Sequence, residues 1–301
     1  MADSVIPDAL RKFEIPGRVT FAGGKGGLPK INVTTPRSTA EIYLHGAHVT
    51  HFQKTGEPPL LFLSARSRFA PGQPIRGGVP ICFPWFGSRA DAGVHGFARI
   101  TEWKVEAAAA LAEEGVTLRF HLPRTDAGAA WPPCDTELAV TITDRLTMEL
   151  ITTNRSPDRR LEFENCLHTY FAVGDIDAVS LSGLEAKPFD DFARGANGVR
   201  RNGDPSPLLV TQETNRVYFD HAGMVEIRDD ALRRVISVQK FNSRSTVVWN
   251  PWTTQKLPDD FDPAEHRRMV CVESGNVKQD KLALPPGQTT TLKVVLSSRP
   301  L

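Results

Sequence analysis

Frequent breaks between short apolar segments constrain the fold of this chain more than any other feature of its sequence. Its 301 residues include 23 glycines and 23 prolines, too many interruptions for a bundle of long helices. Between the breaks, apolar residues run continuously or alternate with polar ones, which is typical of β-strands. The clearest segments are 41–44, 137–143, 146–152, 235–241, 246–249, 269–273 and 289–296. The pattern predicts an all-β fold.

One alanine-rich stretch is ambiguous between helix and strand. Residues 105–114 read VEAAAALAEE, and alanine has the highest helix propensity. The alternating residues 116–122 follow directly after Gly115, however, and this order is typical of a β-hairpin, which we favour. We also expect one helical turn within residues 258–266, which are rich in aspartate and proline.

The distribution of turn residues bears on domain organisation. No repeat, linker or low-complexity segment divides the chain, and turn signals recur along its whole length. A chain of this size can hold two domains, but large β-sandwiches also reach it as one unit. We therefore predict a single domain over residues 1–301, built as a large antiparallel β-sandwich.

The charge balance excludes the simplest form of nucleic-acid binding. The chain has 36 basic and 35 acidic side chains, with no basic tail or stripe. Nucleic-acid binding favours a strongly basic chain or region. Arginine outnumbers lysine by 25 to 11, which fits either oxyanion recognition or a general surface bias, so no arginine is assigned a role by residue type alone.

The N-terminus and the cysteines bear on the compartment. The first eleven residues lack the basic start and apolar stretch of a secretory signal, and no segment approaches the length of a membrane span. Cys82, Cys134, Cys166 and Cys271 lie far apart without a CxxC motif, and three of them sit in apolar runs. We expect a cytoplasmic protein whose thiols are reduced and packed as small core residues.

Two polar residues stand inside segments that otherwise read as buried strands. Glu273 follows four apolar residues in MVCVES, and His168 interrupts the apolar and aromatic run CLHTYF. A buried carboxylate must be paired or neutralised, so Glu273 either makes a structural hydrogen bond or has a raised pKa suited to proton transfer. A lone buried histidine is more often structural, but histidine is also the side chain that titrates closest to neutral pH. Both readings stay open from the residues alone.

An irregular wall is predicted over residues 75–87, followed by the segment HGFAR at 95–99. Adjacent glycines there let a ligand or another backbone approach closely. Its aromatic residues can pack as core or offer apolar contact to a sugar. Arg76 and Arg99 can hold a phosphate through several donors, against the plainer reading of surface charge.

Three further motifs are weak as functional signals. Residues 23–27, GGKGG, lack the spacing and following helix of a phosphate-binding loop and favour a hairpin loop. His45, His48 and His51 recur at spacings of three, which does not place all of them on one face of a strand, so we predict no metal site there. Residues 247–252, VVWNPW, favour a strand that ends in an Asn-Pro turn, with its tryptophans in the core or at a cleft rim.

Taken in order, seven segments resemble the hexose-6-phosphate mutarotases, or glucose-6-phosphate 1-epimerases, of the aldose-1-epimerase-like superfamily. They are RGGVPICFPWFG (76–87), HGFAR (95–99), LHTYF (167–171), GLEAKPFDD (183–191), ETNRVYF (213–219), VVWNPW (247–252) and VCVESGNV (270–277). The resemblance spans roughly residues 40–280, most of the chain. It implies a galactose-mutarotase-like supersandwich with its active site on one concave face.

The resemblance also implies roles for individual residues. His168 is the acid that protonates the sugar ring oxygen, and Glu273 is the base that deprotonates the anomeric hydroxyl. Arg76 and Arg99 bind the 6-phosphate, with His95 nearby. Such ring opening and reclosure needs only proton transfers and a bond rotation, so neither a cofactor nor a metal is expected.

One position departs from the family pattern. Asn215 stands where the family has an aspartate that contacts the substrate. Asparagine keeps hydrogen bonding but loses the charge, which affects which sugar hydroxyls are recognised more than it affects the reaction. We therefore expect an active isomerase of a hexose 6-phosphate, with glucose 6-phosphate as the main candidate.

Three alternatives stay open. The protein can be a mutarotase of unphosphorylated aldoses, which has no need of the two arginines, or a non-catalytic carbohydrate-binding β-sandwich, which has no need of a titrating carboxyl opposite a histidine. A glycosidase is disfavoured, because that chemistry usually needs two positioned carboxylates and only Glu273 stands out. The expected partner is a small sugar phosphate, with no nucleic acid or membrane, and the expected state is a monomer.

Overall fold

β-Strands dominate the computed structural model of this chain, which describes residues 6–90, 92–112, 114–124 and 131–301. Within these residues the largest sheet has nine antiparallel strands. In spatial order they are β18 (Leu208–Leu209), β15 (Val179–Ser182), β20 (Val225–Asp229), β21 (Arg234–Phe241), β25 (Thr289–Pro300), β11 (Leu146–Asn154), β10 (Cys134–Ile142), β9 (Val116–His121) and β8 (Lys104–Ala110).

The second large sheet has eight strands among the residues described. Seven follow the order β17 (Val199–Arg201), β16 (Phe189–Asp191), β19 (Thr214–Tyr218), β22 (Ser245–Asn250), β23 (Met269–Asn276), β13 (Asn165–Leu167) and β5 (Ile81–Cys82). The eighth, β14 (Tyr170–Ala172), pairs with β23 beyond the end of β13. This sheet carries most of the residues that the sequence singled out.

Smaller elements complete the described part of the chain. A four-stranded sheet has the order β1 (Val19–Gly23), β2 (Pro29–Thr34), β3 (Ser38–Tyr43) and β4 (His48–Lys54), and two strand pairs are β6 (Ser88–Arg89) with β7 (Gly93–Val94) and β12 (Leu161–Phe163) with β24 (Leu282–Leu284). Helices are short: α1 (Asp8–Arg11) and 3₁₀ turns at Lys25–Gly27, Ala98–Ile100, Ile176–Ala178, Pro263–Arg268 and Lys278–Asp280. None of the helices described is long and apolar enough to cross a membrane.

The two large sheets share one hydrophobic core, which is the arrangement of a β-sandwich. Strand β11 of the nine-stranded sheet alternates fully along its length and buries Leu146, Met148 and Leu150. Val248 and Val272 of the eight-stranded sheet belong to the same cluster of buried apolar side chains. The predicted all-β sandwich is confirmed.

The local predictions also hold. The alanine-rich stretch forms β8, which pairs with β9 as an antiparallel hairpin. The helical turn lies slightly later than expected, at Pro263–Arg268, where Asp262 and Glu265 form a capping box. The glycine-rich segment 23–27 connects β1 to β2 as a hairpin loop.

Strand β23 is buried along its whole length because it is covered on both faces. Val270 and Val272 face the shared core, and the alternate residues Cys271 and Glu273 face the other way. This two-sided burial explains why the segment reads as a continuous apolar run that a single carboxyl interrupts.

Gly275 permits β13 and β23 to pack closely. A Cβ atom at this position would lie 2.5 Å from the carbonyl oxygen of Asn165 and 2.8 Å from the Cβ of Cys166. Both neighbours are fully buried, so they cannot move aside freely. We expect Gly275→Ala to lower the free energy of unfolding by about 1–3 kcal/mol, the usual cost of overpacking. Urea unfolding measures this, and an unchanged midpoint would contradict it.

Candidate active site

A cleft of about 590 Å³ lies over one face of the eight-stranded sheet. The pairing register of the strands determines which residues form the floor of the cleft, because residues opposite each other on antiparallel strands point to the same face. Two adjacent rows share this face: Val217, Val247 and Glu273 in one, and Asn215, Trp249 and Cys271 in the next. The cleft volume is within the range usual for small-molecule sites.

His168 and Glu273 meet in this cleft. His168 directly follows β13, and its backbone N–H donates to the carbonyl of Pro80 at 3.0 Å. Its Nε2 lies 3.3 Å from Oε1 of Glu273. Both side chains are almost fully buried, yet both line the cleft. The imidazole also stacks on the ring of Tyr170, with centroids 4.8 Å apart and planes 13° apart, which fixes its orientation.

Burial controls the protonation of this pair. It lowers the pKa of His168 to about 3, with the positive charge of Arg99 as the next cause. It raises the pKa of the Glu273 carboxyl well above its ordinary value, opposed by a hydrogen bond from the Cys166 thiol. Both shifts favour the uncharged forms of the two side chains in the free protein, a neutral imidazole and a protonated carboxyl. Moving that proton across the 3.3 Å contact creates the carboxylate and imidazolium form.

The structure brings both predicted arginines to the cleft. Arg99 is buried, its Nη2 donates to the carbonyl of Val94 at 2.7 Å, and its Nε has no hydrogen-bond partner within the described residues. The Nε of Arg76 donates to both carboxylate oxygens of Asp260, at 3.2 and 3.1 Å. Asp260 thus orients the Arg76 guanidinium, whose side chain is 22% exposed.

His95 is held beside the catalytic candidates in an unusual backbone conformation. Its φ is 63°, and the next residue, Gly96, has φ +71° with room for no Cβ, since that atom would lie 1.9 Å from the carbonyl of Phe83. The backbone N–H of Gly87 donates to Nδ1 of His95 at 3.1 Å. Burial lowers the pKa of His95, so the ring is neutral and carries its proton on Nε2. It can therefore donate a hydrogen bond.

Asn215 lines the same cleft. Its side-chain amide donates to the backbone carbonyl of Phe192 at 3.4 Å, a bond that an aspartate could not make. The amide thus bonds to the backbone of the cleft wall and also faces the interior of the cleft. This contact gives a structural reason for asparagine at the position.

The predicted aromatic wall divides between core and cleft. Phe83 and Trp85 belong to the shared core, whereas Phe86 lines the cleft. Trp249, one of the two tryptophans near the Asn-Pro turn, also lines it, while Trp252 packs against His266 with ring centroids 5.3 Å apart. The cleft is therefore lined by aromatic rings from separate segments of the chain.

The possible metal ligands of the described residues come together at one place. His168, Cys271 and Glu273 form the one group whose ligand atoms all lie within 4.8 Å of one another. Burial raises the pKa of Cys271 and of Glu273, which favours their protonated forms and so opposes metal binding, because a metal must displace those protons. The group is better suited to moving protons than to holding a cation. His45 and His48 instead bond backbone carbonyls, at Gln73 and Gly77.

Several residues in or behind the cleft were not predicted from the sequence. Lys256 and Lys278 line the cleft and add to its positive charge, and Gln255 accepts a hydrogen bond from the Trp249 indole at 2.9 Å. Cys166, read as a core residue, lies 3.6 Å from Oε2 of Glu273. These residues stand in loops or apolar runs without any local pattern that marks them, apart from their place beside recognised motifs.

Fold and cleft together define a mutarotase-like β-sandwich. A solved structure of a provisionally assigned mutarotase from Salmonella typhimurium superimposes with a TM-score of 0.86, at 27% identity over 96% of both chains. A galactose mutarotase related enzyme from Lactobacillus acidophilus shares the fold, with a TM-score of 0.72 over 90% of this chain and 97% of that one, at 14% identity.

Sequence comparison identifies the family. Residues 29–297 match the aldose 1-epimerase family, and the chain belongs to it. A relative from Escherichia coli K12, provisionally named a glucose-6-phosphate 1-epimerase, is 34% identical over 250 residues, covering 82% of this chain and 83% of the relative. One from Cenchrus ciliaris with the same provisional name is 32% identical over 286 residues, covering 91% and 86%. The expected family is confirmed.

Proposed function

We propose that this protein interconverts the α and β anomers of a hexose 6-phosphate, with glucose 6-phosphate as the main substrate. One observation carries the proposal: a buried His168–Glu273 pair lies in a cleft whose described lining is strongly cationic. Arg76, Arg99, Lys256 and Lys278 line it, Asp260 pairs with Arg76 from outside the described lining, and burial favours the protonated form of Glu273, the one carboxyl in that lining. A sugar supplies the reacting centre and a phosphate supplies the matching charge.

The distance within the pair suits the two oxygens that must exchange protons. In a pyranose, the anomeric hydroxyl O1 and the ring oxygen O5 are bonded to the same carbon, C1. Nε2 of His168 and Oε1 of Glu273 are 3.3 Å apart, so one group can contact O1 while the other contacts O5. A non-catalytic sugar-binding module would not need this arrangement.

Ring opening then needs no other reagent. The Glu273 carboxylate takes the proton from O1, the C1–O5 bond breaks as the C1=O1 carbonyl forms, and His168 gives its proton to O5. Rotation about C1–C2 presents the other carbonyl face to O5. His168 takes the proton back from O5 as the C1–O5 bond re-forms, and Glu273 returns a proton to O1. Each cycle leaves the pair with the one proton it began with.

Phosphate binding favours the protonation state that this sequence of steps requires. Arg99 and Arg76 are the charges that lower the pKa of His168, after burial itself. A dianionic phosphate bound beside them compensates their charge, which raises the pKa of His168 and draws the shared proton from Glu273. The substrate thus helps to form the imidazolium acid and the carboxylate base.

The deciding experiment measures anomer exchange directly. Two-dimensional exchange NMR on glucose 6-phosphate at equilibrium gives the rate at which the H1 signals of the two anomers interconvert. We expect the wild-type protein to exceed the buffer rate by at least about 100-fold, the lower bound for one acid–base group. Exchange no faster than in buffer would defeat the proposal.

The protonation of His168 provides a separate prediction. Because burial lowers its pKa to about 3, the imidazole of the free protein should stay neutral as the pH falls through its ordinary value of 6.5. Inorganic phosphate should raise that pKa by compensating Arg76 and Arg99. Nitrogen-15 NMR of labelled histidine measures both, with His168→Asn identifying the signal. A free-protein midpoint near 6.5 would contradict the prediction.

A further inference from the structure

The side chain of Glu273 has a second hydrogen-bond partner that does not face the substrate. Oε1 points to His168, whereas Oε2 accepts from the Cys166 thiol at 3.6 Å, a normal distance for sulfur. Cys166 is fully buried, so it cannot touch a sugar in the cleft. The two oxygens of the carboxyl therefore have separate partners, one on each side.

The pairing of β13 with β23 places this thiol. Cys166 lies opposite Gly275, two residues along from Glu273 on the same face. Gly275 leaves the space that brings the two backbones together, since a Cβ there would lie 2.8 Å from that of Cys166. On the other side of β13, Cys166 lies opposite Cys82 of strand β5. The remaining members of its cluster are apolar: Val217, Phe219, Val247 and Val277.

We propose that Cys166 is a positioning residue for anomer exchange, whose S–H group holds Glu273 with Oε1 toward the reacting oxygens and stabilises its carboxylate form. This inference rests on the proposed function for its catalytic consequence. Burial and the nearby Glu273 raise the pKa of Cys166 well above its ordinary value, so the thiol keeps its proton and stays a donor.

Sulfur suits this task because it is a weak donor. A hydroxyl at the same position would stabilise the carboxylate more strongly and make it a poorer base, whereas a methyl group would leave Oε2 without a donor in an apolar site. The thiol lies between these extremes. It orients the carboxyl without removing the basicity that deprotonation of O1 requires.

Other charged and titratable groups surround the carboxyl from neighbouring elements. Cys271 on β23, Tyr170 on β14 and Cys82 on β5 interact electrostatically with Glu273 itself. Lys240 on β21 acts on Cys166, and the cleft arginines Arg76 and Arg99 act on His168. Of the described groups, Cys166 and His168 are the ones in direct polar contact with Glu273. Changing the thiol thus alters one contact and leaves the others in place.

The test titrates the protonated carboxyl band of Glu273 by infrared difference spectroscopy in the full-length protein, with Glu273→Gln identifying the band. Cys166→Ala should move the midpoint to higher pH than in the wild type, and Cys166→Ser should move it to lower pH. Opposite shifts report donor strength, which a purely structural role would not produce. Equal shifts in both variants, or none, would overturn the inference.

Exchange kinetics on glucose 6-phosphate provide the catalytic readout. We expect Cys166→Ala to lower kcat about tenfold with an unchanged KM, because Oε2 loses its donor. Cys166→Ser should lower kcat less, because its hydroxyl still orients the carboxyl although it makes the carboxylate a poorer base. Cys134→Ala is the control: this free thiol lies on β10 of the nine-stranded sheet, outside the described cleft lining, and its substitution should move neither midpoint nor kcat. A change in KM without a change in kcat would contradict a role of Cys166 through Glu273.

The two readouts separate this inference from the proposed function. The infrared titration needs no substrate, so opposite shifts without any exchange activity would support the contact and defeat only the proposed reaction. Full activity in Cys166→Ala would support the reaction and overturn the positioning role.

Discussion

Glu273→Gln is expected to lower kcat for anomer exchange of glucose 6-phosphate about 1,000-fold, with little change in KM. Glutamine has nearly the same shape as glutamate and fills the same buried space beside His168. Its amide cannot take a proton from O1, so the exchange loses its base in both directions. Two-dimensional exchange NMR at saturating substrate measures the loss.

His168→Asn should produce a loss of similar size, because the remaining carboxyl has no partner to protonate O5. The double variant should be little worse than either single variant, since the two groups share one proton and act as a unit. Independent effects that multiply in the double variant would contradict this shared-proton mechanism.

A control substitution separates chemistry from folding. Glu137→Gln removes an exposed strand carboxylate that pairs with Arg119 at 2.9 Å, remote from the cleft lining. It should leave kcat unchanged. If Glu273→Gln retained activity within tenfold of this control, Glu273 would not be the base.

The acid–base pair was predictable from the sequence because a polar group inside an apolar strand carries a physical cost. Glu273 interrupts MVCVES and His168 interrupts CLHTYF, and burial of either needs a partner. The structure gives each the other as partner, although 105 positions separate them in the chain. Residue patterns indicated that each was unusual, and family resemblance joined them.

The supporting residues could not be predicted in the same way. The role of Cys166 depends on strand register, which places it diagonally across from Glu273, and in the sequence it is one of three cysteines in apolar runs. Asp260 comes from a loop that no periodicity places, yet it orients Arg76 from 184 residues away. Such contacts follow from the packing of distant segments, whereas the alternation of a β-strand is local and can be recognised in the sequence.

Arg99 should determine whether the protein prefers a phosphorylated or an unphosphorylated sugar. Arg99→Leu should lower kcat/KM for glucose 6-phosphate by about 100-fold or more, while kcat/KM for unphosphorylated glucose should change far less, only through the loss of the Arg99 charge near His168. The side chain is buried, so its charge is poorly screened by water and acts strongly on a nearby anion. Leucine retains most of the apolar contact of the arginine stem and removes only the charge and its donors.

The ratio of the two kcat/KM values is the quantity to compare, because any fraction of misfolded protein cancels from it. Arg119→Leu is the matched control, since this arginine pairs with Glu137 on the nine-stranded sheet and should leave the ratio unchanged. If Arg99 anchors the phosphate ester, the ratio should fall in Arg99→Leu and stay unchanged in Arg119→Leu. If the ratio were equal in both variants, the cleft would select an unphosphorylated aldose, and the positive charge around His168 would then serve only to keep its pKa low.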